Sequence, residues 1–191
     1  MTAVILAGGQ SRRMGKDKLR LSLAGETLLE RTLRRFSAVF PKVLVSTASP
    51  ERYPELGECR VYDRYPGAGP LAGLHAALMA AGEDVFLVGG DMPFADPDRA
   101  QRLIALCGDC EACVLVDGEG RWEPLFGFYR FSALEKAEAM LSAGQNRMTG
   151  LLSQLRLREV TLAELGEESD SLLRNLNKPE DYEKLRLELG E

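Results

Sequence analysis

Along the chain, short apolar runs bounded by turn residues alternate with longer stretches whose apolar positions recur every three or four residues. The first run, Thr2 to Leu6, is continuous and ends in Ala7-Gly8-Gly9, so it reads as a buried strand. Leu28, Leu29, Leu33, Phe36, Val39 and Phe40 then keep helical spacing up to Pro41, after which Lys42 to Ala48 is apolar and β-branched again. Arg60 to Asp63 is a shorter strand candidate, and Asp84 to Val88 another, running into Gly89-Gly90-Asp91. Between those two, Gly67-Ala-Gly-Pro-Leu-Ala-Gly73 is a loop leading into a helix that ends near Ala81. Asp96-Pro97 opens a further helix with proline in its first turn, and Ser132-x-x-Glu135 spells a capping box before a helix over Ala133 to Ala143, closed by Gly144. Cys113 to Val116 and Leu125 to Tyr129 read as strands, and a last helix starts at about Pro179.

This alternation predicts an α/β fold, a mostly parallel sheet with helices on both faces. Such sheets bind ligands at the carboxyl ends of their strands, where the connecting loops converge. Leu6 to Gly9, Ser46 and Thr47, Asp63 and Asp91 each end a strand or follow one, so residues far apart in sequence are expected along one crevice.

Composition narrows the class. At 191 residues the chain is most simply one domain, 1–191, large enough to bury roughly 70% of its unfolded surface without a disulfide or metal staple. A net charge of −5 argues against general nucleic-acid binding. No apolar run approaches the roughly 20 residues of a membrane span, and no basic leader precedes the first strand, so the cytoplasm is the expected location. Cys107, Cys110 and Cys113 have two-residue gaps that suit metal thiolates, but a fourth local ligand is missing, with Asp117 where a ferredoxin run would place it. They read, with Cys59, as reduced thiols. The single histidine, His75, lies among Ala and Leu and reads as helical surface or packing rather than a catalyst.

Charge changes the picture locally. After the first strand come Gly8-Gly9-Gln10-Ser11-Arg12-Arg13-Met14-Gly15-Lys16-Asp17-Lys18, and with Arg20 this segment holds five cations against one carboxylate in a chain that is acidic overall. Neither a Walker loop nor a dinucleotide fingerprint fits, because five residues separate Gly9 from Gly15, Lys16 is followed by Asp17, and no third glycine falls in register. Cations crowded at a helix start oppose its dipole, which points to a bound anion. Asp91, at a strand end beside two glycines, suits Mg²⁺, which prefers one or two carboxylates plus phosphate oxygens. Asp63 suits a second ligand, a hydrogen-bond acceptor for a nucleotide, or a turn. With no Ser/His/Asp set, general-base catalysis has little support, whereas phosphoryl or nucleotidyl transfer to an anionic acceptor can proceed by positioning and charge neutralisation.

Five blocks occur in order: Leu-Ala-Gly-Gly-x-Ser-Arg-Arg-Met-Gly-x-Asp-Lys from Leu6, Tyr-Pro-Gly-x-Gly-Pro-Leu-Ala-Gly from Tyr65, Gly-Asp-Met-Pro-Phe from Gly90, Glu-Pro-Leu-Phe-Gly-x-Tyr from Glu123 and Asn-Leu-Asn-Lys-Pro-Glu-Asp from Asn175. Together they resemble molybdenum cofactor guanylyltransferase over nearly the whole chain. The resemblance implies a Rossmann-like three-layer α/β/α sandwich and Mg²⁺-dependent transfer of GMP from GTP to the terminal phosphate of molybdopterin, with release of pyrophosphate. It places Leu6, Ala7, Gly8 and Gly9 on the nucleotide, Arg13 and Lys18 at the phosphates, Asp63 on the nucleoside side and Asp91 on Mg²⁺. Family members can carry Asn at the end of the second strand where this chain has Ser46-Thr47, and either hydroxyl keeps a hydrogen bond while losing the paired donor and acceptor of an amide. Gln145, Arg147, Asn175 and Asn177 are the candidates for the pterin side. The rivals are cytidylyl transfer to the same pterin and nucleotidyl transfer to a sugar phosphate. An oxidation-prone product also favours direct hand-over to other cofactor-biosynthesis proteins or acceptor enzymes.

Overall fold

The computed structural model describes residues 1–8, 17–23, 25–166, 170–176 and 178–188. In chain order the strands and helices are β1 (Thr2–Leu6), β2 (Ser22–Leu23), β3 (Glu26–Thr27), α1 (Leu28–Ser37), β4 (Lys42–Thr47), β5 (Arg60–Tyr62), α2 (Pro70–Ala81), β6 (Val85–Gly89), α3 (Pro97–Leu106), β7 (Ala112–Val116), β8 (Trp122–Tyr129), α4 (Ala133–Ser142), α5 (Met148–Leu152), β9 (Leu157–Thr161) and α6 (Pro179–Glu188). Seven strands make one sheet in the order β5-β4-β1-β6-β8-β7-β9, and β2 and β3 pair separately as a small hairpin. Every neighbouring pair is parallel except those made by β8, which runs antiparallel to both β6 and β7. The sequence pattern gave no sign of β9, whose Leu157-Arg-Glu-Val-Thr161 buries only Val160 completely, nor of the β2–β3 hairpin.

Strand parity divides the core in two. Ala3 and Ile5 of β1 face the layer that holds Phe36, Phe86 and Leu103, while Val4 faces Leu71, Leu74 and Leu78 of α2. Phe36, Phe40, Phe86 and Phe126 form a chain of ring contacts with centroids 4.9–6.3 Å apart, tying α1 to β6 and β8.

One helix start departs from the expected pattern. Ser132 makes no capping hydrogen bond, because its backbone is already helical and the N–H groups of Ala133 and Leu134 are bonded to the carbonyls of Arg130 and Phe131. The capping box lies instead at α1, where Thr27 Oγ1 accepts from the Glu30 N–H at 3.2 Å and Glu30 Oε2 accepts from the Thr27 N–H at 2.7 Å.

Two devices shape the site end of the sheet. Gly69 caps α2 at φ +70°, ψ −152°, a conformation closed to L side chains, and Pro70 follows as the first helical residue. On β8 the register against β7 jumps between Val114, opposite Gly127, and Leu115, opposite Glu123. Pro124 lies inside that bulge, where a residue with no N–H is tolerated, and the bulge brings Leu125 to the wall of the central cavity.

Candidate active site

The carboxyl ends of β1, β4 and β6 converge on a cavity of about 570 Å³ whose walls include Leu6, Gly8, Lys18, Ser46, Asp63 and Asp91. That volume falls within the range of small-molecule sites. The sequence expectation of one shared crevice holds for Leu6, Gly8, Ser46, Asp63 and Asp91, whereas Ala7 and Thr47 do not line it. Gly9 and Arg13 lie outside the described residues, as does Asn177.

At one end of the cavity Lys18 Nζ stands 2.5 Å from Asp91 Oδ2 and 3.2 Å from the carbonyl of Leu176. Both side chains are mostly enclosed, at 15% and 20% exposure, so the pair is screened less than a surface ion pair. Gly89 ends β6, the Gly90 N–H donates to the Leu6 carbonyl, and the chain then turns so that the Met92 N–H reaches the Gly89 carbonyl. This geometry fixes Asp91 at the tip of the sheet. The Leu176 N–H in turn donates to the Asp91 carbonyl at 2.9 Å, which stitches the Asn175-Leu176 segment to the same point.

At the other end Ser46 and Asp63 meet. Ser46 is buried and its Oγ donates to Asp63 Oδ1 at 3.3 Å. Thr47, also buried, donates its hydroxyl to the Ser49 carbonyl at 2.9 Å. Adjacent strand residues face opposite ways, so Ser46, and not Thr47, faces the cavity. Burial pushes the Asp63 carboxyl up to about 6, with the Ser46 hydrogen bond only partly offsetting it. α2 crosses close behind this corner, since a Cβ on Gly73 would lie 2.6 Å from Leu6 Cδ2 and 2.9 Å from Ser46 Oγ.

Ala7 is placed differently from its neighbours. Its side chain is buried in the core and its N–H is bonded to the Ser46 carbonyl at 2.7 Å, leaving only its carbonyl for a ligand. Of the pterin-side candidates, Asn175 lies on the segment joined to Asp91, whereas Gln145 lines a separate cavity of about 310 Å³ with Arg64 and Tyr65. Arg147 is exposed at the start of α5. His75 is fully buried in α2, edge-on to the Tyr65 ring at 5.3 Å, so of the two expectations packing holds and surface does not. The Cys107 and Cys113 thiols are buried and donate to the carbonyls of Cys110 and Leu103.

No sequence pattern by itself singles out Glu123 as a site residue. Its Oε1 accepts from the Leu125 N–H at 2.9 Å, and the Asn175 side chain also bonds to it. Burial, reinforced by the negative charge of Asp91, raises the Glu123 carboxyl above its ordinary value. The Glu-Pro-Leu-Phe block was the available signal, because a proline within a strand marks a bulge and bulges gather at sites.

The oxygen set here suits a hard divalent cation. Asn175 Oδ1 is buried with no hydrogen-bond partner, an acceptor that an ion or its water shell would satisfy, and it belongs to the segment bonded to Asp91. Among the described residues no cluster of three or more His, Cys, Asp or Glu is arranged to hold a metal, so a cation here would draw its remaining ligands from phosphate oxygens and water. No helix among the described residues is long and apolar enough to cross a membrane.

The chain is 36% identical to a probable molybdenum cofactor guanylyltransferase of Opitutus terrae over 97% of its length and 95% of the relative's. It is 37% identical to the protein of that name from Synechococcus elongatus, over 97% of both. The crystal structure of molybdopterin-guanine dinucleotide biosynthesis protein A from Archaeoglobus fulgidus superposes with a TM-score of 0.85 at 25% identity, covering 98% of this chain and 97% of that one. A 2-C-methyl-D-erythritol 4-phosphate cytidylyltransferase from Thermus thermophilus shares the fold at a TM-score of 0.67 and 21% identity, over 98% of each chain. The family model for the MobA-like NTP transferase domain matches residues 3–160, and this chain belongs to that family.

Proposed function

We propose that this protein transfers GMP from GTP to the terminal phosphate of molybdopterin, forming the guanine dinucleotide cofactor and releasing pyrophosphate. The observation that carries the reading is the central cavity, which opens at the carboxyl ends of β1, β4 and β6 with a Lys18–Asp91 pair at one end and a Ser46–Asp63 pair at the other. An elongated ligand charged at one end and rich in hydrogen-bond donors at the other matches that layout. Relatives over 30% identical across nearly the full chain carry the name of this activity, which selects the acceptor.

In this reading Leu6, Ala7, Gly8 and Gly9 line the nucleotide, with Ser46 and Asp63 accepting hydrogen bonds from its nucleoside. Asp91 holds Mg²⁺, with Asn175 Oδ1 as a neighbouring oxygen and Glu123 orienting the Asn175 amide. When bound, the metal neutralises phosphate charge and fixes the triphosphate for in-line attack. Lys18 leaves its pair with Asp91 and, with Arg13, stabilises the charge that grows on the departing pyrophosphate. A phosphate oxygen of the acceptor forms the new bond to the α-phosphorus as the bond from that phosphorus to the α–β bridging oxygen breaks. The acceptor arrives ionised, so no side chain has to remove a proton. Asn175 meets the acceptor beside Asp91, Gln145 and Arg147 meet more remote parts of it, and Asn177 is kept as a further candidate for the acceptor. The protein works in the cytoplasm and passes its product to cofactor-dependent enzymes.

Incubation with Mg²⁺ and molybdopterin, with GTP or CTP supplied separately, tests the assignment. Pyrophosphate release with GTP at least about tenfold faster than with CTP is the expected result, the contrast a base-reading site provides. Equal or faster release with CTP would overturn the guanylyl assignment.

A further inference from the structure

Lys18 is the second residue of a short stretch whose backbone is held from outside. Asp17 precedes it, with Oδ1 accepting from the Leu19 N–H at 3.2 Å. Asp17 Oδ2 accepts from the Tyr53 hydroxyl at 2.7 Å and from Arg52 Nη2 at 2.9 Å. Arg52 Nη2 also reaches the Tyr53 hydroxyl at 3.1 Å. Leu19, on the other side of Lys18, is 4% exposed and anchored in the core. The lysine is thus flanked by two fixed neighbours.

The partner residue carries strain. Tyr53 sits at φ +53°, ψ +53°, and it is the one non-glycine residue with positive φ among those described. A bulky side chain in that region is strained and persists only where surroundings over-determine it. Here they do: the ring is 1% exposed, and the guanidinium carbons of Arg20 and Arg52 lie 5.1 and 5.2 Å from its centroid. Tyr53 also caps the short 3-10 helix that follows, its carbonyl accepting from the Leu56 N–H at 3.1 Å, while its phenol reaches Asp17.

We infer that Tyr53 and Asp17 are positioning residues for Lys18, a phenol–carboxylate–guanidinium lock that fixes the backbone from which the Lys18 ammonium reaches the reacting phosphates. The inference rests on the charge-stabilising role proposed for Lys18. A lysine has four rotatable bonds, so holding its Cα removes one source of scatter at the phosphate and leaves the side chain free to exchange Asp91 for its ligand. The lock also joins the two ends of the cavity, because the loop that carries Tyr53 follows β4, the strand that presents Ser46.

Tyr53→Phe removes the phenolic oxygen and keeps the ring between the two arginines. A four-point cycle of the unaltered protein, Y53F, K18A and the double variant, assayed for kcat, KM for GTP and melting temperature, separates the possibilities. Y53F is expected to lower kcat about tenfold with KM changed less than about threefold and the melting temperature within a few degrees. In the K18A background the same substitution is expected to cost nothing further. Losses that multiply across the cycle, or a kcat loss that tracks a fall in melting temperature, overturn the lock while leaving the role of Lys18 standing. Normal turnover in K18A overturns that role itself, and the lock with it. Asp17→Asn keeps an acceptor for Leu19 and loses the charge facing Arg52, and it is expected to follow the Y53F pattern.

Discussion

The two ends of the central cavity hold the same chemical group in opposite circumstances. Asp91 faces the Lys18 ammonium at 2.5 Å, while among the described side chains Asp63 meets only the Ser46 hydroxyl, at 3.3 Å, and burial holds its carboxyl up near 6. Fold position does not explain the difference, since both follow parallel strands and both line one cavity. What differs is the charge brought across from another loop. The end proposed for the phosphates receives a cation from the segment after β1, and among the described residues the end proposed for the nucleoside receives none. A carboxylate paired with a cation is ready for metal and phosphate, whereas one buried almost alone gains most from a neutral ligand that donates hydrogen bonds.

The contrast is broken most severely at Asp91. Asp91→Ala removes the carboxylate proposed to hold Mg²⁺, which is also the carboxylate that Lys18 pairs with. Pyrophosphate release is expected to fall by more than about 10³-fold, with GTP binding retained more weakly. Titrating the variant with a fluorescent GTP analogue separates these two effects. Turnover unchanged from that of the unaltered protein would remove Asp91 from the metal role and erase the distinction between the two ends.

Lys18→Ala tests the same end from the cation's side. Loss of one charge-stabilising group is expected to slow transfer about 10²–10³-fold. Because Asp91 then keeps its carboxylate but loses the ammonium, the affinity of the free protein for Mn²⁺, read by its electron paramagnetic resonance signal, is expected to rise. Normal kinetics with a lowered melting temperature would assign Lys18 to folding alone.

How far this contrast could be read in advance depends on which physical constraints leave a trace in sequence. The strand ends were legible because Leu6, Val88 and their neighbours are continuous apolar runs stopped by glycine, and glycine is what a close approach such as Gly73 on Leu6 requires. Direction was not. β8 reads as an ordinary apolar strand, and only pairing with β6 and β7 makes it antiparallel. The choice between Ser46 and Thr47 rests on one step of strand parity, which the sequence leaves undetermined until the register is known. Ser132 and Thr27 carry the same capping signature, and the first fails because nearby carbonyls already take the donors a cap would serve. The Asp17–Tyr53 contact leaves no trace at all, since a left-handed tyrosine has no sequence signal.

At the nucleoside end the smallest effects carry the most pH information. An Asp63 carboxyl at about 6, against an ordinary 3.8, means that between those values the folded protein binds a proton the unfolded chain does not. Stability therefore falls as pH rises through that window, and above about pH 6 the ionised carboxylate is a standing cost on the order of 1–3 kcal/mol. Asp63→Asn lifts that cost. D63N is expected to melt higher than the unaltered protein at pH 7.5 and to lose the advantage near pH 4, by calorimetry across the range. Its KM for GTP is expected to be about tenfold higher at pH 7.5, because the amide offers one acceptor where the carboxylate offered two. In the unaltered protein KM is expected to rise as pH drops through about 6, since protonation removes an acceptor, while in D63N it stays flat across the same range. A KM that varies with pH in the same way in both proteins would place the titrating group elsewhere and leave the nucleoside end no different from the phosphate end.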